Sequence, residues 1–224
     1  MVIVDKLHEY YERLSNSKHA KYFYVTDIAG CPRAVFFSMT GEIGEKTPAG
    51  GIKKMRMGSK IHEHLMGDMF SSGMRVVASE ISIPDNELIH GRADCIVCID
   101  NELILLDFKS IMSFGYKIIN DKKLNEEHIA QVNLYLHFFN LKRGFLIYMN
   151  KDNQDLLEVE VLYDEKKALE CLDKLKDLRL KIDNKILPEI PTNLEGWKCA
   201  YCSHRKLCKD KCKEKKEMEK ENEN

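Results

Sequence analysis

Two acids and a lysine on neighbouring apolar segments are the residues of this chain best suited to chemistry on a charged substrate. A two-residue turn at Asp100-Asn101 pairs Ile99 with Glu102. Counting outward, it sets Asp94 opposite Asp107, so that both carboxylates share one face. Lys109 lies two residues beyond Asp107 and joins that face by strand alternation. Apolar residues occupy both parities of Glu102 to Ser110, which buries both faces and leaves the charges at the end of a central strand. A buried charge without a partner is costly. A hard divalent cation, magnesium or manganese, would relieve the repulsion of the acids, and the lysine would orient or activate a water and steady a phosphate. The plain alternative is a structural Asp-Lys ion pair in a hairpin, since the tripeptide DFK alone is a weak motif. Its place on the third of three strands favours chemistry. So does GRADCI on the strand before it, where Gly91 permits close backbone approach near the acid.

His62 sits in GSKIH, four residues after Gly58 and on the same helical face. An imidazole added to two carboxylates tilts the preference toward manganese. Gln131 and Tyr135 share one face of a later helix, and Glu80 reads as structural.

A second set of candidates is sulfur. Of eight cysteines, Cys199, Cys202 and Cys208 have metal-ligand spacing in a stretch with too few aliphatics to make a core. The fourth ligand could be Cys31, Cys212 or His204, and spacing does not choose. Nor does it choose between zinc and iron-sulfur. Cys95 and Cys98 fall on opposite faces of a strand and read as core packing.

The elements that must position these residues follow from periodicity. Helical spacing runs over 3–16, from a Thr26-Asp27 cap to Met39, and over Lys53 to Phe70, with a loop from Gly41 to Gly51. Three strands follow, Arg75 to Ile83, Leu88 to Ile99 and Glu102 to Ser110, as an antiparallel meander. Then come a helix over 126–139, strands over 143–149 and 155–163, and an amphipathic helix over 164–184. The order is three helices, three strands, a helix, two strands and a helix. Domains are expected at 1–187, a core with its N-terminal helices; at 188–212, a cysteine-rich segment working with Cys31; and at 213–224, a charged, disordered tail. With 44% hydrophobic residues and a formal charge of -1, the chain can fill one core and has no global basic signature, so DNA contact would need local clusters such as Lys53, Lys54, Arg56 and Lys60. Apolar runs are too short to span a membrane, and the N-terminus lacks the pattern of a secretory signal. The expected location is the cytoplasm, where thiols stay reduced.

GSKIH, GRAD, DFK and QVNLY occur in the order and approximate spacing of the motifs GxxxH, GxxD, DxK and QxxxY. In this the chain resembles the RecB-like PD-(D/E)XK nucleases. The resemblance implies an α/β (α+β), restriction-endonuclease-like fold, with a central mixed sheet flanked by helices. It places metal ligation on His62, Asp94, Asp107 and the main-chain carbonyl of Phe108. Lys109 is then catalytic, and Gln131 and Tyr135 support the site and DNA. One cysteine before the core and three after it match the iron-sulfur branch of these nucleases. This assigns a [4Fe-4S] cluster to Cys31, Cys199, Cys202 and Cys208, joining the N- and C-terminal segments, and leaves Cys212 spare; structural zinc is the alternative. A stand-alone chain of this kind is similar to the CRISPR-associated Cas-four exonucleases, which implies single-stranded DNA as substrate, a part in spacer acquisition, and CRISPR integrase proteins as partners. The competing readings are a non-catalytic DNA-binding assembly module and a site-specific endonuclease of the same fold.

Overall fold

The turn that sets the register forms as expected. Asp100 and Asn101 both take left-handed backbone, φ 51° and 63°, the pairing of conformations that a two-residue hairpin turn requires and that Asp and Asn tolerate. The structure is a computed structural model and describes residues 2–14, 21–192, 194 and 196–212. The tail expected at 213–224 lies outside the described residues. In chain order the elements are α1 (Val2–Arg13), β1 (Phe23–Tyr24), a 3-10 turn (Val25–Ala29), α2 (Pro32–Thr40), α3 (Ala49–Ser71), β2 (Val76–Ser82), β3 (Ile89–His90), β4 (Arg92–Ile99) and β5 (Glu102–Ile111). They continue with α4 (Ser113–Asn120), α5 (Glu126–Phe139), β6 (Arg143–Asn150), β7 (Leu156–Leu162), α6 (Glu165–Asp183) and α7 (Gly196–Ala200). The described residues of these fall into two compact units, one drawn from 2–14, 21, 30–52 and 177–212, the other from Tyr22–Ala29 and Lys53–Lys176.

The second unit is built on a five-stranded sheet of order β2-β4-β5-β6-β7. Within this sheet only β5 and β6 run parallel, and a parallel pair needs a crossover. Here α4 and α5 supply it. Alternation divides the sheet into two apolar faces. Leu65 and Met66 of α3 pack with Cys95, Val97, Ile104, Leu106 and Phe108 on one face. On the other, α5 lies against β5, β6 and β7 and buries Val132, Leu134 and Leu136. Leu105 and Leu146, of the opposite strand parity, are buried there too.

Three local expectations change. The strand expected over 88–99 divides at Gly91, and Ile89–His90 pairs with β1 instead. A Cβ on Gly91 would collide with the Val25 side chain and stand 3.0 Å from Tyr135 Cε1, so the chain can turn there only without a side chain. No single helix runs from Asp27 to Met39. The Asp27 carboxylate accepts from Tyr24 N–H (2.7 Å) instead of capping a helix. Pro32, which has no N–H to give, starts a new helix at its first position. Helix α4 has no counterpart in the sequence reading; it is anchored by Ser113, whose N–H and Oγ donate to Asp152 Oδ2 at 2.9 and 2.5 Å.

In the first unit α2 ends at Gly41, whose φ of 94° only glycine takes easily. The segment after α2 meets the cysteine-rich stretch. Glu45 N–H donates to Ser203 O (2.7 Å), Ser38 Oγ bonds His204 Nε2 (3.1 Å), and a Cβ on Gly44 would stand 2.9 Å from Ser203 Oγ. Buried Arg33 donates from Nε to Pro188 O (2.8 Å). Among the described residues no helix is long and apolar enough to cross a membrane.

Candidate active site

The site forms where β4 and β5 part. Their ladder pairs Ile99 with Glu102 through to Cys95 with Leu106 and stops there. One step on, Asp94 sends its carboxylate into the gap and accepts from the Phe108 backbone N–H at 2.7 Å through Oδ2. A side chain replaces a ladder bond, because the Phe108 amide is buried and must find an acceptor. The same splaying lets α3 reach round the end of the ladder. His62 Nδ1 lies 3.3 Å from Asp94 Oδ1, and its ring stands edge-on to Phe108 at 5.9 Å. The hydrogen bond to Asp94 holds the His62 pKa above the ordinary imidazole value.

Asp107, 2% exposed, takes a bond from Gln131 Nε2 to Oδ1 at 3.3 Å and forms an ion pair through Oδ2 with Lys109. Burial drives the Asp107 pKa upward; the Lys109 ammonium opposes this and the charge of Asp94 adds to it. Lys109 is itself only 17% exposed and lies beside Tyr148 across the parallel pair. Burial raises the Tyr148 pKa, and its hydroxyl bonds His128 Nδ1 at 2.9 Å. Tyr135 lies one turn after Gln131, and its hydroxyl donates to Arg92 O (3.0 Å). Its pKa, pushed up to about 12 by burial, keeps it a donor.

Thus His62, Asp94, Asp107, Lys109 and Gln131 converge, while Tyr135 braces the start of β4. An open cleft of about 720 Å³ leads to them, lined by His62, Asp94, Gln131 and Tyr135 together with Glu63, Glu80 and Arg92. Arg92 escaped the sequence reading, although its place two residues before Asp94 puts it on the same strand face. Among the described residues, no three His, Cys, Asp or Glu side chains stand as a closed set of metal ligands. The acids are held instead by Lys109, Gln131, His62 and the Phe108 amide. The donor chemistry nonetheless fits a divalent cation. Two carboxylates and an imidazole are brought together, and one of the acids is buried so deeply that it ionises at a cost unless positive charge stands beside it.

The cysteines form a separate constellation in the first unit. Cys31, Cys199, Cys202, Cys208 and Cys212 line one pocket of about 340 Å³. All eight cysteines of the chain are free thiols. Arg33 Nη1 donates to Cys212 Sγ at 3.0 Å and to Cys208 Sγ at 3.8 Å. His204 lines the same pocket, buried, with Nε2 engaged by Ser38 and its pKa lowered by burial. The thiols fit a sulfur-liganded metal or cluster by type and by shared pocket. Cys95, by contrast, is fully buried in the core, and half-buried Cys98 accepts from Arg75 at 3.9 Å.

Residues 53–209 match the family model of the PD-(D/E)XK nuclease superfamily. The chain belongs to this superfamily. As a PD-(D/E)XK nuclease it is 28% identical over 207 residues to the CRISPR-associated exonuclease Cas4 of Saccharolobus solfataricus, with 88% of this chain and 92% of the relative aligned. Among solved structures, that of SSO0001 superposes with a TM-score of 0.58 at 24% identity, covering 93% of this chain and 96% of that one. The alkaline exonuclease LHK-Exo of Laribacter hongkongensis superposes at 0.54 and 12% identity, covering 80% and 94%. At such identities these two structures speak for the fold: a mixed sheet with helices on both faces, as expected.

Proposed function

We propose that this nuclease is a metal-dependent exonuclease that hydrolyses phosphodiester bonds of single-stranded DNA and processes new spacers in a CRISPR system. The observation that carries the reading is the meeting of His62, Asp94, Asp107 and Lys109 where β4 and β5 diverge. The Cas4 relative supports the exonuclease and CRISPR assignments. His62, Asp94, Asp107 and the Phe108 carbonyl would hold magnesium or manganese. Bound there, the cation supplies Lewis acidity toward a phosphoryl oxygen and lowers the pKa of water. Lys109, paired with Asp107 near the end of β5, can steady the phosphate and orient the attacking water. Gln131 fixes the Asp107 carboxylate, and Tyr135 fixes the backbone before Asp94. In the first unit Cys31, Cys199, Cys202 and Cys208 would hold a [4Fe-4S] cluster, which would pin the segment that begins α2 to the cysteine-rich stretch. CRISPR integrase proteins are the proposed partners.

The test compares anaerobically purified wild type with Lys109→Ala on end-labelled single-stranded DNA in manganese, magnesium or chelator. Metal-dependent degradation lost in the variant is the expected result. A folded wild type that degrades nothing in either metal overturns the reading. Iron and sulfide analysis of the same preparation separates a cluster from zinc.

A further inference from the structure

The described residues that line the cleft make it acidic. Of these, Glu63, Glu80 and Asp94 carry acids, and Arg92 is the one arginine or lysine side chain. A polyanionic strand entering such a cleft meets repulsion from the acids. Arg92 stands on the Asp94 face of β4, two residues before it. Its backbone is held by the Tyr135 hydroxyl (3.0 Å) and its guanidinium by Glu80, Nη2 to Oε2, at 2.6 Å.

Glu80 reaches Arg92 from an unusual backbone. Ser79 pairs with Cys95 and Ile81 with Ala93, with no register shift between them. Yet Glu80, lying between these pairs and hence across from Asp94, has φ 51°, a left-handed conformation that side chains disfavour. The ion pair does not repay that strain, because both partners are largely exposed, Arg92 at 64% and Glu80 at 47%, and exposed pairs contribute little. Strain retained within a strand at the wall of a cleft points to a positional requirement.

We propose that Arg92 is a phosphate-binding residue of the nuclease. In this arrangement it grips a backbone phosphate of the single strand beside the one being cleaved, and Glu80 orients the guanidinium. The bond to Glu80 uses Nη2, and the planar fork has further donors for the two oxygens of a phosphate. This deepens the proposed function and rests on it. Under this proposal Glu80, read from sequence as structural, would take a positioning role.

The experiment measures binding of an end-labelled single-stranded oligonucleotide in EDTA over a salt series, for wild type, Arg92→Ala, Arg92→Lys and Glu80→Gln, each checked for folding by thermal melt. One phosphate contact on single-stranded DNA contributes about 0.7 to the slope of log affinity against log salt. Arg92→Ala should lower the slope by about that amount and weaken binding roughly tenfold. Arg92→Lys should restore the slope but only part of the affinity, since an ammonium lacks the bidentate fork. Glu80→Gln removes the partner that orients the guanidinium but also one repelling acid, so it should lower affinity less than Arg92→Ala does. With metal, Arg92→Ala should raise KM and leave kcat within about twofold. An unchanged slope and affinity in folded Arg92→Ala overturns the inference while leaving the nuclease reading intact; wild type that neither binds nor degrades the oligonucleotide overturns both.

Discussion

Replacing Asp94 by alanine and by asparagine should separate its two roles. Its carboxylate is the acceptor for the buried Phe108 N–H and the partner of His62. Alanine leaves that amide buried without an acceptor, which costs about 1–3 kcal/mol. For a chain of this size a kilocalorie is worth about 2–4 °C, so Asp94→Ala should melt roughly 2–12 °C below wild type. Asparagine keeps an oxygen where the N–H points. It gives up the assistance of the charge, but the same loss relieves Asp107, whose pKa the Asp94 charge helps to raise. Asp94→Asn should therefore melt within about 3 °C of wild type while losing nuclease activity as fully as the alanine variant. Melting is followed by far-UV circular dichroism in EDTA, and activity on labelled DNA with manganese. Equal melting temperatures for the two variants, or an asparagine variant as active as wild type, would refute the claim that one carboxylate both completes the sheet and serves the chemistry.

His62 has a folded pKa above its ordinary value, so its bond to Asp94 contributes stability fully below pH about 6.5, and this is lost as pH rises through the elevated value. Chemical denaturation in EDTA should therefore show His62→Gln destabilised relative to wild type at pH about 5.5 and nearly matched to it at pH about 8.5. Gly91→Ala should lose about 1–3 kcal/mol by overpacking against Val25 and Tyr135, read as a lower urea midpoint with unchanged slope. Tyr135→Phe leaves Arg92 O without its donor and should cost about 1 kcal/mol in the same assay. In Cys31→Ser, iron and sulfide content after anaerobic purification should fall well below wild type; undiminished content would remove Cys31 from the ligand set.

Strand alternation and one turn were enough to set the β4–β5 register, which the ladder follows as far as Cys95–Leu106, one step short of Asp94 and Asp107. The reason is that a two-residue turn fixes register and a period of two fixes the face, and both are local rules. Helix α5 was legible over its whole length for a similar reason, since its apolar spacing is regular and Asn125 caps it by accepting from Glu127 and His128 N–H. Local rules failed where a distant group decided the outcome. The break at Gly91 depends on Val25 and Tyr135, which lie far from it in the chain.

By itself, then, the sequence determined the strand register and the cysteines' metal-ligand spacing. Both follow from interactions between residues close in the chain. Tertiary structure alone decided that the Asp94 carboxylate replaces a ladder bond to Phe108, that His62 reaches it around the end of that ladder, and that Cys31 and Cys212 share a pocket with Cys199, Cys202 and Cys208. These are contacts between segments far apart in sequence. They are fixed by how buried polar groups find partners once the core has formed, which no periodicity encodes.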